Sequence, residues 1–124
     1  MSKNVMIVDD AVFMRTILRG ILERSGYNVV ADAQDGKKAL EKYKELYASA
    51  QKPDLVLLDI TMPEMDGLTA LKELKKYDEQ VKVIMCSSLT SQHVVIDAIQ
   101  AGAKNFISKP FNEDKVIEII SKYL

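Results

Sequence analysis

The chain has 124 residues, and its 17 basic and 18 acidic side chains leave a formal charge of −1. This length predicts one domain, over residues 1–124. The near-neutral balance argues against a general nucleic-acid binder, and the single cysteine, Cys86, excludes an intramolecular disulfide. Aliphatic runs do not exceed four residues and no apolar signal region follows Met1, so we expect no membrane insertion and a cytoplasmic setting.

Short apolar runs alternate along the chain with longer amphipathic stretches. In chain order, the apolar runs predict strands at 5–8, 29–31, 55–58, 81–86 and 106–107. The stretches between and after them predict five helices, because their apolar residues recur every three or four positions. The first helix, over 12–25, carries a stripe made of Phe13, Met14, Ile17, Leu18, Ile21 and Leu22.

The predicted helices have residues suited to their ends. Asp35 and Asn112 stand where the second and fifth helices begin, and such side chains accept hydrogen bonds from exposed backbone N–H groups. Gly26 and Gly102 stand where the first and fourth helices end, a position that favours glycine. The stretch 47–52 precedes the third strand and is predicted at the amino edge of the sheet.

Alternation of five strands with five helices predicts an α/β fold, with a parallel sheet and helices on both faces. The length and the apolar strands favour a flavodoxin-like (βα)5 fold, a doubly wound sheet in the order 2-1-3-4-5. In such sheets, ligands bind at the carboxyl edge where the strand order reverses. That crevice would lie between the first and third strands.

Polar side chains stand at the carboxyl ends of four predicted strands. Asp9 and Asp10 follow the first strand, Asp59 the third, Ser87 the fourth and Lys109 the fifth. Three gathered carboxylates repel one another, and Mg²⁺, which prefers oxygen ligands, would hold them charged. The lysine and the serine hydroxyl suit a phosphoryl oxygen, and Asp59 is a candidate nucleophile that forms an aspartyl phosphate. Each residue alone is more often a cap or a solvated side chain, so the hypothesis depends on their joint placement.

Three motifs at the right spacing resemble the receiver domain of two-component response regulators. Residues 8–10 read Val-Asp-Asp, residues 58–67 read Leu-Asp-Ile-Thr-Met-Pro-Glu-Met-Asp-Gly, and residues 109–111 read Lys-Pro-Phe. The resemblance covers essentially the whole chain. It implies a phosphorylation-controlled switch that catalyses only its own phosphorylation and dephosphorylation and is otherwise not an enzyme. With no output domain, the chain is most similar to the single-domain chemotaxis members of that family.

The resemblance also implies the metal and phosphoryl ligands. Asp59 would accept the phosphoryl group and share in binding Mg²⁺. Asp10 would bind the metal directly, Asp9 would assist through water, and Thr61 would contribute its backbone carbonyl. Thr61 and Leu89 hold two positions that tune phosphoryl loss in the family, and neither is acidic or an amide. The lifetime of the phosphorylated state therefore stays open.

Four residues match the conformational switch of the family. Ser87 would move toward the phosphoryl group, and Lys109 would pair with it. Pro110 matches a proline that usually follows a cis peptide bond. Phe106 matches an aromatic residue that turns inward on activation, although phenylalanine offers no hydroxyl to a partner.

The resemblance implies two partners, a sensor histidine kinase of the chemotaxis type and an output protein such as the flagellar motor switch. The protein is expected to bind them as a monomer. A phosphorelay shuttle that serves a histidine phosphotransfer protein is an alternative. A small Mg²⁺-dependent aspartyl phosphatase is a third, but Thr61 stands where that chemistry needs a second acid. A flavin-binding flavodoxin is disfavoured, because residues 9–12 read Asp-Asp-Ala-Val instead of a phosphate-binding loop.

His93 is predicted to be exposed, and Cys86 to be a small buried hydrophobe.

Overall fold

The computed structural model describes residues 3–60, 62, 65–88 and 92–124. These residues form alternating strands and helices: β1 (Asn4–Val8), α1 (Val12–Arg24), β2 (Asn28–Ala33), α2 (Gly36–Leu46), β3 (Leu55–Leu58), α3 (Gly67–Tyr77), β4 (Val83–Ser87), α4 (Gln92–Gln100), β5 (Asn105–Ser108) and α5 (Glu113–Ser121). All neighbouring strands are parallel, in the order β2-β1-β3-β4-β5. The predicted fold class and strand order are therefore confirmed.

Successive strand residues point to opposite faces of the sheet, so each strand supplies two cores. Met6, Leu58 and Met85 point toward α2, α3 and α4 and pack in one cluster with Tyr43 and Leu71. The alternate strand positions form a second cluster under α1 and α5, made of Val5, Ile7, Val29, Leu55, Leu57, Ile84, Cys86 and Ile107 with the helix residues Leu18, Ile21, Leu22, Val116, Ile119 and Ile120. Burial on both faces explains why the strands are continuously apolar.

Predicted caps and stops lie where the sequence indicated. The side chains of Asp35 and Asn112 each accept a hydrogen bond of 2.8 Å, from the backbone N–H of Lys38 and Lys115. Gly26 and Gly102 have φ angles of 87° and 109°, a region that side chains other than glycine rarely adopt. These caps and glycines determine where the helices begin and end. They thereby also determine where the strand ends lie at the edge of the sheet.

Several sequence-based strand boundaries and one helical stripe differ from the structure. β2 is longer than predicted, because it pairs with β1 from Asn28 to Ala33. β4 begins at Val83 because the N–H of Val81 closes a turn onto Asp78 O, 3.1 Å away. In the α1 stripe, Phe13 and Ile17 are 71% and 37% exposed. The apolar stripe of α1 is therefore wider than the face of the helix that the sheet buries.

The stretch 47–52 lies at the amino edge of the sheet, as predicted. The side-chain amide of Asn4, at the start of β1, donates to the carbonyls of Ala50 and Lys52 at 3.2 and 3.1 Å. Nearby, the Tyr43 hydroxyl donates to Asp78 Oδ2 at 2.6 Å, and Lys52 Nζ lies 3.6 Å from the same oxygen. We call Tyr43, Lys52 and Asp78 the amino-edge cluster. In the described part of the chain, no helix is both long and apolar enough to cross a membrane.

Candidate functional site

Strand register brings two of the predicted acidic residues together. Val8 and Leu58 are paired across β1 and β3, so Asp9 and Asp59 follow as the next pair along the ladder. The N–H of Asp59 donates to Val8 O at 2.9 Å, and that of Asp9 donates to Ala33 O at 3.1 Å. The strand order reverses between β1 and β3, so both carboxylates lie in the crevice that the sequence indicated.

Asp9, Asp10 and Asp59 form an acidic pocket at this edge. One carboxylate oxygen from each lies within 4.8 Å of the others. Asp9 and Asp59 are only 1% and 5% exposed, whereas Asp10 faces solvent. Clustered oxygen donors with one open side suit a hard divalent cation that keeps several of its waters, as Mg²⁺ does. The donor set therefore fits Mg²⁺, while the division of roles between Asp9 and Asp10 stays a prediction.

Lys109 reaches the acidic pocket from the end of β5. Its Nζ donates to Asp9 Oδ2 at 2.7 Å and lies 3.7 Å from Asp59 Oδ2. Burial alone would lower the pKa of Lys109, but the hydrogen bond to Asp9 and the charges of Asp59 and Asp9 outweigh burial and raise it. The lysine is therefore a firmly protonated cation placed against the predicted acceptor.

The backbone around Lys109 joins it to β4. Its N–H donates to Ser87 O at 2.9 Å, and the peptide bond between Lys109 and Pro110 is cis, as the resemblance implied. Ser87 itself is 1% exposed. Met85 pairs with Phe106 across β4 and β5, so Phe106 shares a sheet face with Ser87. Phe106 is half-buried and packs against the core under α2, α3 and α4.

Two glycines allow the loops around the acceptor to approach closely. The N–H of Gly67 donates to Ile60 O at 2.7 Å, and a Cβ on Gly67 would lie only 2.0 Å from Asp59 O. Gly36 N–H donates to Met65 O at 3.2 Å, and a Cβ there would lie 2.6 Å from that carbonyl. Any larger side chain would displace the loop that follows Asp59.

Sequence reasoning missed Arg15, which contacts the site from α1. Its Nη1 donates to Asp9 O at 2.6 Å, and its side chain is only 13% exposed. The available signal was a basic residue one turn into the helix that follows the paired acids.

His93 lies away from the pocket on α4, is 84% exposed as predicted, and is 3.3 Å from Asp97. Thr61 and Leu89 lie outside the described residues.

Comparisons with known proteins agree with this geometry. Residues 5–121 match the response regulator receiver domain. "Chemotaxis protein CheY" of Bacillus subtilis is 56% identical, across 100% of this chain and 99% of the relative, and that of Thermotoga maritima is 52% identical, across 98% of each. The CheY structure from Borrelia burgdorferi, solved as a CheX-CheY-BeF3-Mg complex, has a TM-score of 0.92 at 41% identity, covering 98% of this chain and 90% of that one. The chain therefore belongs to the response regulator receiver domain family, with CheY proteins among its relatives.

Proposed function

We propose that this protein is a phosphorylation-controlled switch whose Asp59 accepts a phosphoryl group from a sensor histidine kinase. The observation that carries the proposal is the placement of Asp59, which shares a pocket with Asp9 and Asp10 and lies 3.7 Å from Lys109 Nζ. A nucleophilic carboxylate, a set of metal ligands and a fixed cation are the parts that phosphoryl transfer needs.

In the proposed reaction, an Asp59 carboxylate oxygen attacks phosphorus and the phosphorus–nitrogen bond of the phosphohistidine breaks. The phosphoryl group then forms an acyl phosphate on Asp59, and the imidazole leaves with its electron pair. Asp9, Asp10 and Asp59, with Thr61 as predicted, would hold Mg²⁺, which would offset charge on the phosphoryl oxygens. Lys109 would stabilise the same charge from the β5 side. The protein would catalyse only its own phosphorylation and dephosphorylation.

The proposed output is a change in the surface formed by α4, β5 and α5. A phosphoryl group on Asp59 would draw the Ser87 hydroxyl, and movement at β4 would free space for Phe106 on the same sheet face. Exposed Ile96 and Ile99, each 45% accessible, give this surface apolar contacts for a partner. The change is a shift between two packings, which the added charge biases.

The proposed partners are a chemotaxis-type histidine kinase and an output protein such as the flagellar motor switch, with the monomer acting in the cytoplasm. Support comes from the relatives, which are named chemotaxis proteins and match over nearly their whole length. The relative crystallised with CheX suggests that a CheX-type protein is a further partner.

Intact-protein mass spectrometry after incubation with acetyl phosphate tests the acceptor. We expect one added phosphoryl group in wild type with Mg²⁺, none without it, and none in Asp59→Asn. The control is Asp97→Asn, which changes a carboxylate on α4 and should label like wild type. Because fast hydrolysis would hide an adduct, beryllofluoride binding is followed in parallel by NMR. Equal labelling of Asp59→Asn, or failure of both phosphorylation and beryllofluoride binding, would contradict the proposal.

Affinity capture with phosphorylated and unphosphorylated protein then tests the output. Phosphorylation-dependent recovery of a motor-switch protein would support the chemotaxis assignment. Recovery of histidine phosphotransfer proteins alone would contradict it and favour a phosphorelay shuttle.

A further inference from the structure

We infer that Arg15 is a positioning residue that holds the Asp9–Asp10 peptide in the orientation from which the acidic pocket binds a divalent cation. Among the residues that the structure describes, Arg15 contacts the main-chain carbonyl of Asp9 and the side chain of Asp32, so it acts on the acidic pocket through the main chain. The inference rests on the proposed function, because it concerns how the metal of that reaction is held.

The contact falls on the peptide that joins the two adjacent acids. Arg15 Nη1 donates to the carbonyl oxygen of Asp9 at 2.6 Å, a short, charge-assisted hydrogen bond. That carbonyl belongs to the peptide plane that continues into Asp10. Rotation of this plane would move the Asp10 carboxylate relative to that of Asp9, so the guanidinium restricts the angle between them.

The Asp9 side chain is fixed independently, which leaves the peptide plane as the variable that Arg15 controls. Asp9 Oδ1 accepts from the N–H of Ala11 at 3.0 Å, and Oδ2 accepts from Lys109 Nζ at 2.7 Å. Asp10, by contrast, is exposed. Mg²⁺ requires nearly octahedral geometry at short distances, so small errors in the direction of one carboxylate weaken binding.

The Arg15 side chain is itself anchored on the edge strand. Its Nε lies 3.9 Å from Asp32 Oδ1, and Asp32 is paired with Ile7 across β2 and β1. The Arg15 side chain is only 13% exposed, so water competes weakly for its contact with Asp9 O, whereas Asp32 is 40% exposed. The planar guanidinium can serve two acceptors in fixed directions, which a lysine ammonium at the same position cannot reproduce.

Arg19 provides a matched comparison one turn along the same helix. Its Nη2 donates to Asp32 Oδ2 at 3.0 Å, so it shares the anchor. Its guanidinium pairs with the carboxylates of Asp32 and Glu23, at 3.0 and 4.0 Å. Substituting Arg19 removes the same charge from the same helix and leaves the Asp9 contact in place.

The test is calorimetric titration of the unphosphorylated full chain with Mg²⁺, at fixed ionic strength, for wild type, Arg15→Ala, Arg15→Lys and Arg19→Ala. Loss of groups that orient metal ligands typically weakens metal affinity by about 10-fold or more. We expect a rise of about 10-fold in the Mg²⁺ Kd of Arg15→Ala, a smaller rise in Arg15→Lys, and a wild-type Kd in Arg19→Ala. In acetyl phosphate labelling, Arg15→Ala should need more Mg²⁺ for half-maximal rate, while its rate at saturating Mg²⁺ approaches that of wild type.

A wild-type Kd in Arg15→Ala would overturn the inference, as would equal losses in Arg15→Ala and Arg19→Ala. A labelling defect that persists at saturating Mg²⁺ with an unchanged Kd would also overturn it. If Arg15→Ala fails to fold by circular dichroism, Arg15→Lys decides, and a wild-type Kd there counts against the inference. Wild type that neither binds Mg²⁺ nor becomes labelled contradicts the proposed function itself, which separates the two failures.

Discussion

Buried aspartates stand at both edges of the sheet, and their surroundings differ between the two edges. At the amino edge, Asp78 is 6% exposed and accepts hydrogen bonds from the Tyr43 hydroxyl and the Gln80 N–H, with Lys52 close by. Burial by itself raises the pKa of Asp78, but these donors and the lysine charge outweigh it, so the pKa falls below its usual value. The carboxylate is satisfied by the protein alone.

At the carboxyl edge, three carboxylates lie close together, and Lys109 contacts two of them. Asp9 and Asp59 are both within ion-pair distance of its ammonium, and Asp10 faces solvent. Negative charge in the acidic pocket exceeds what Lys109 supplies, so a further cation would be favourable there. Burial of an acid is therefore not by itself a functional signal. A buried acid with matched donors stabilises the fold, whereas clustered acids with one open side are suited to binding.

The largest stability effect is expected on removing the lysine of the acidic pocket. Lys109→Met leaves the buried Asp9 and Asp59 charges facing each other and should cost about 3 kcal/mol in Mg²⁺-free buffer. Millimolar Mg²⁺ should restore much of that loss. Urea denaturation with and without Mg²⁺ measures both effects.

The matched control is Lys52→Met at the amino edge. Lys52 is 41% exposed, so the loss should stay below about 1 kcal/mol. Mg²⁺ should change the stability of this variant only as it changes wild type. Equal Mg²⁺ rescue of both lysine variants would remove the contrast between the two edges.

A smaller loss is expected from Tyr43→Phe. The variant keeps the packing of a fully buried ring and deletes the 2.6 Å hydrogen bond to Asp78 Oδ2. Hydrogen bonds to charged groups are worth about 2 kcal/mol, and added Mg²⁺ should not recover the loss. Tyr77→Phe, at a ring that is 41% exposed, should stay within about 0.5 kcal/mol of wild type. Similar losses in the two variants would show that the Asp78 contact contributes little.

The smallest expected effect is on how steeply the free energy of unfolding changes with pH in acid. Because the folded-state pKa of Asp78 lies below its ordinary value of 3.8, its contribution to stability is present above that pH. The contribution is lost as pH falls through the folded-state pKa. The free energy of unfolding should therefore fall less steeply below pH 3.8 in Asp78→Asn and Tyr43→Phe than in wild type. Denaturant titrations at several acidic pH values measure this, and parallel slopes would contradict the assignment.

Much of the fold could be predicted from the sequence because its signals are local. The element order follows from the continuously apolar strands, the periodic helices and the caps at Asp35 and Asn112. The handedness of parallel crossovers then restricts the possible topologies of the sheet. The start of β4 could not be predicted, because Val81 is diverted into a turn by a hydrogen bond to Asp78 O. Burial of Phe13 could not be judged either, since it depends on how α1 lies against the sheet.

The acidic pocket was also predictable, because Asp9, Asp59 and Lys109 follow strands whose carboxyl ends share one edge. The residues that support these buried carboxylates could not be predicted from the sequence. Arg15 reaches a main-chain carbonyl, and Tyr43 meets Asp78 across 35 positions of sequence. Such pairings depend on tertiary packing of helices, which leaves no local pattern.

The most direct test of the contrast between the two edges is the effect of Mg²⁺ on the free energy of unfolding of wild type, Asp10→Asn and Asp78→Asn. A ligand that binds only the folded state stabilises it by about 1.4 kcal/mol at ten times its Kd. At the free Mg²⁺ concentration that gives this gain in wild type, Asp78→Asn should gain equally, although it starts from lower stability, and Asp10→Asn should gain little. The same gain in Asp10→Asn as in wild type, or no gain in wild type, would show that the two edges do not differ in cation binding.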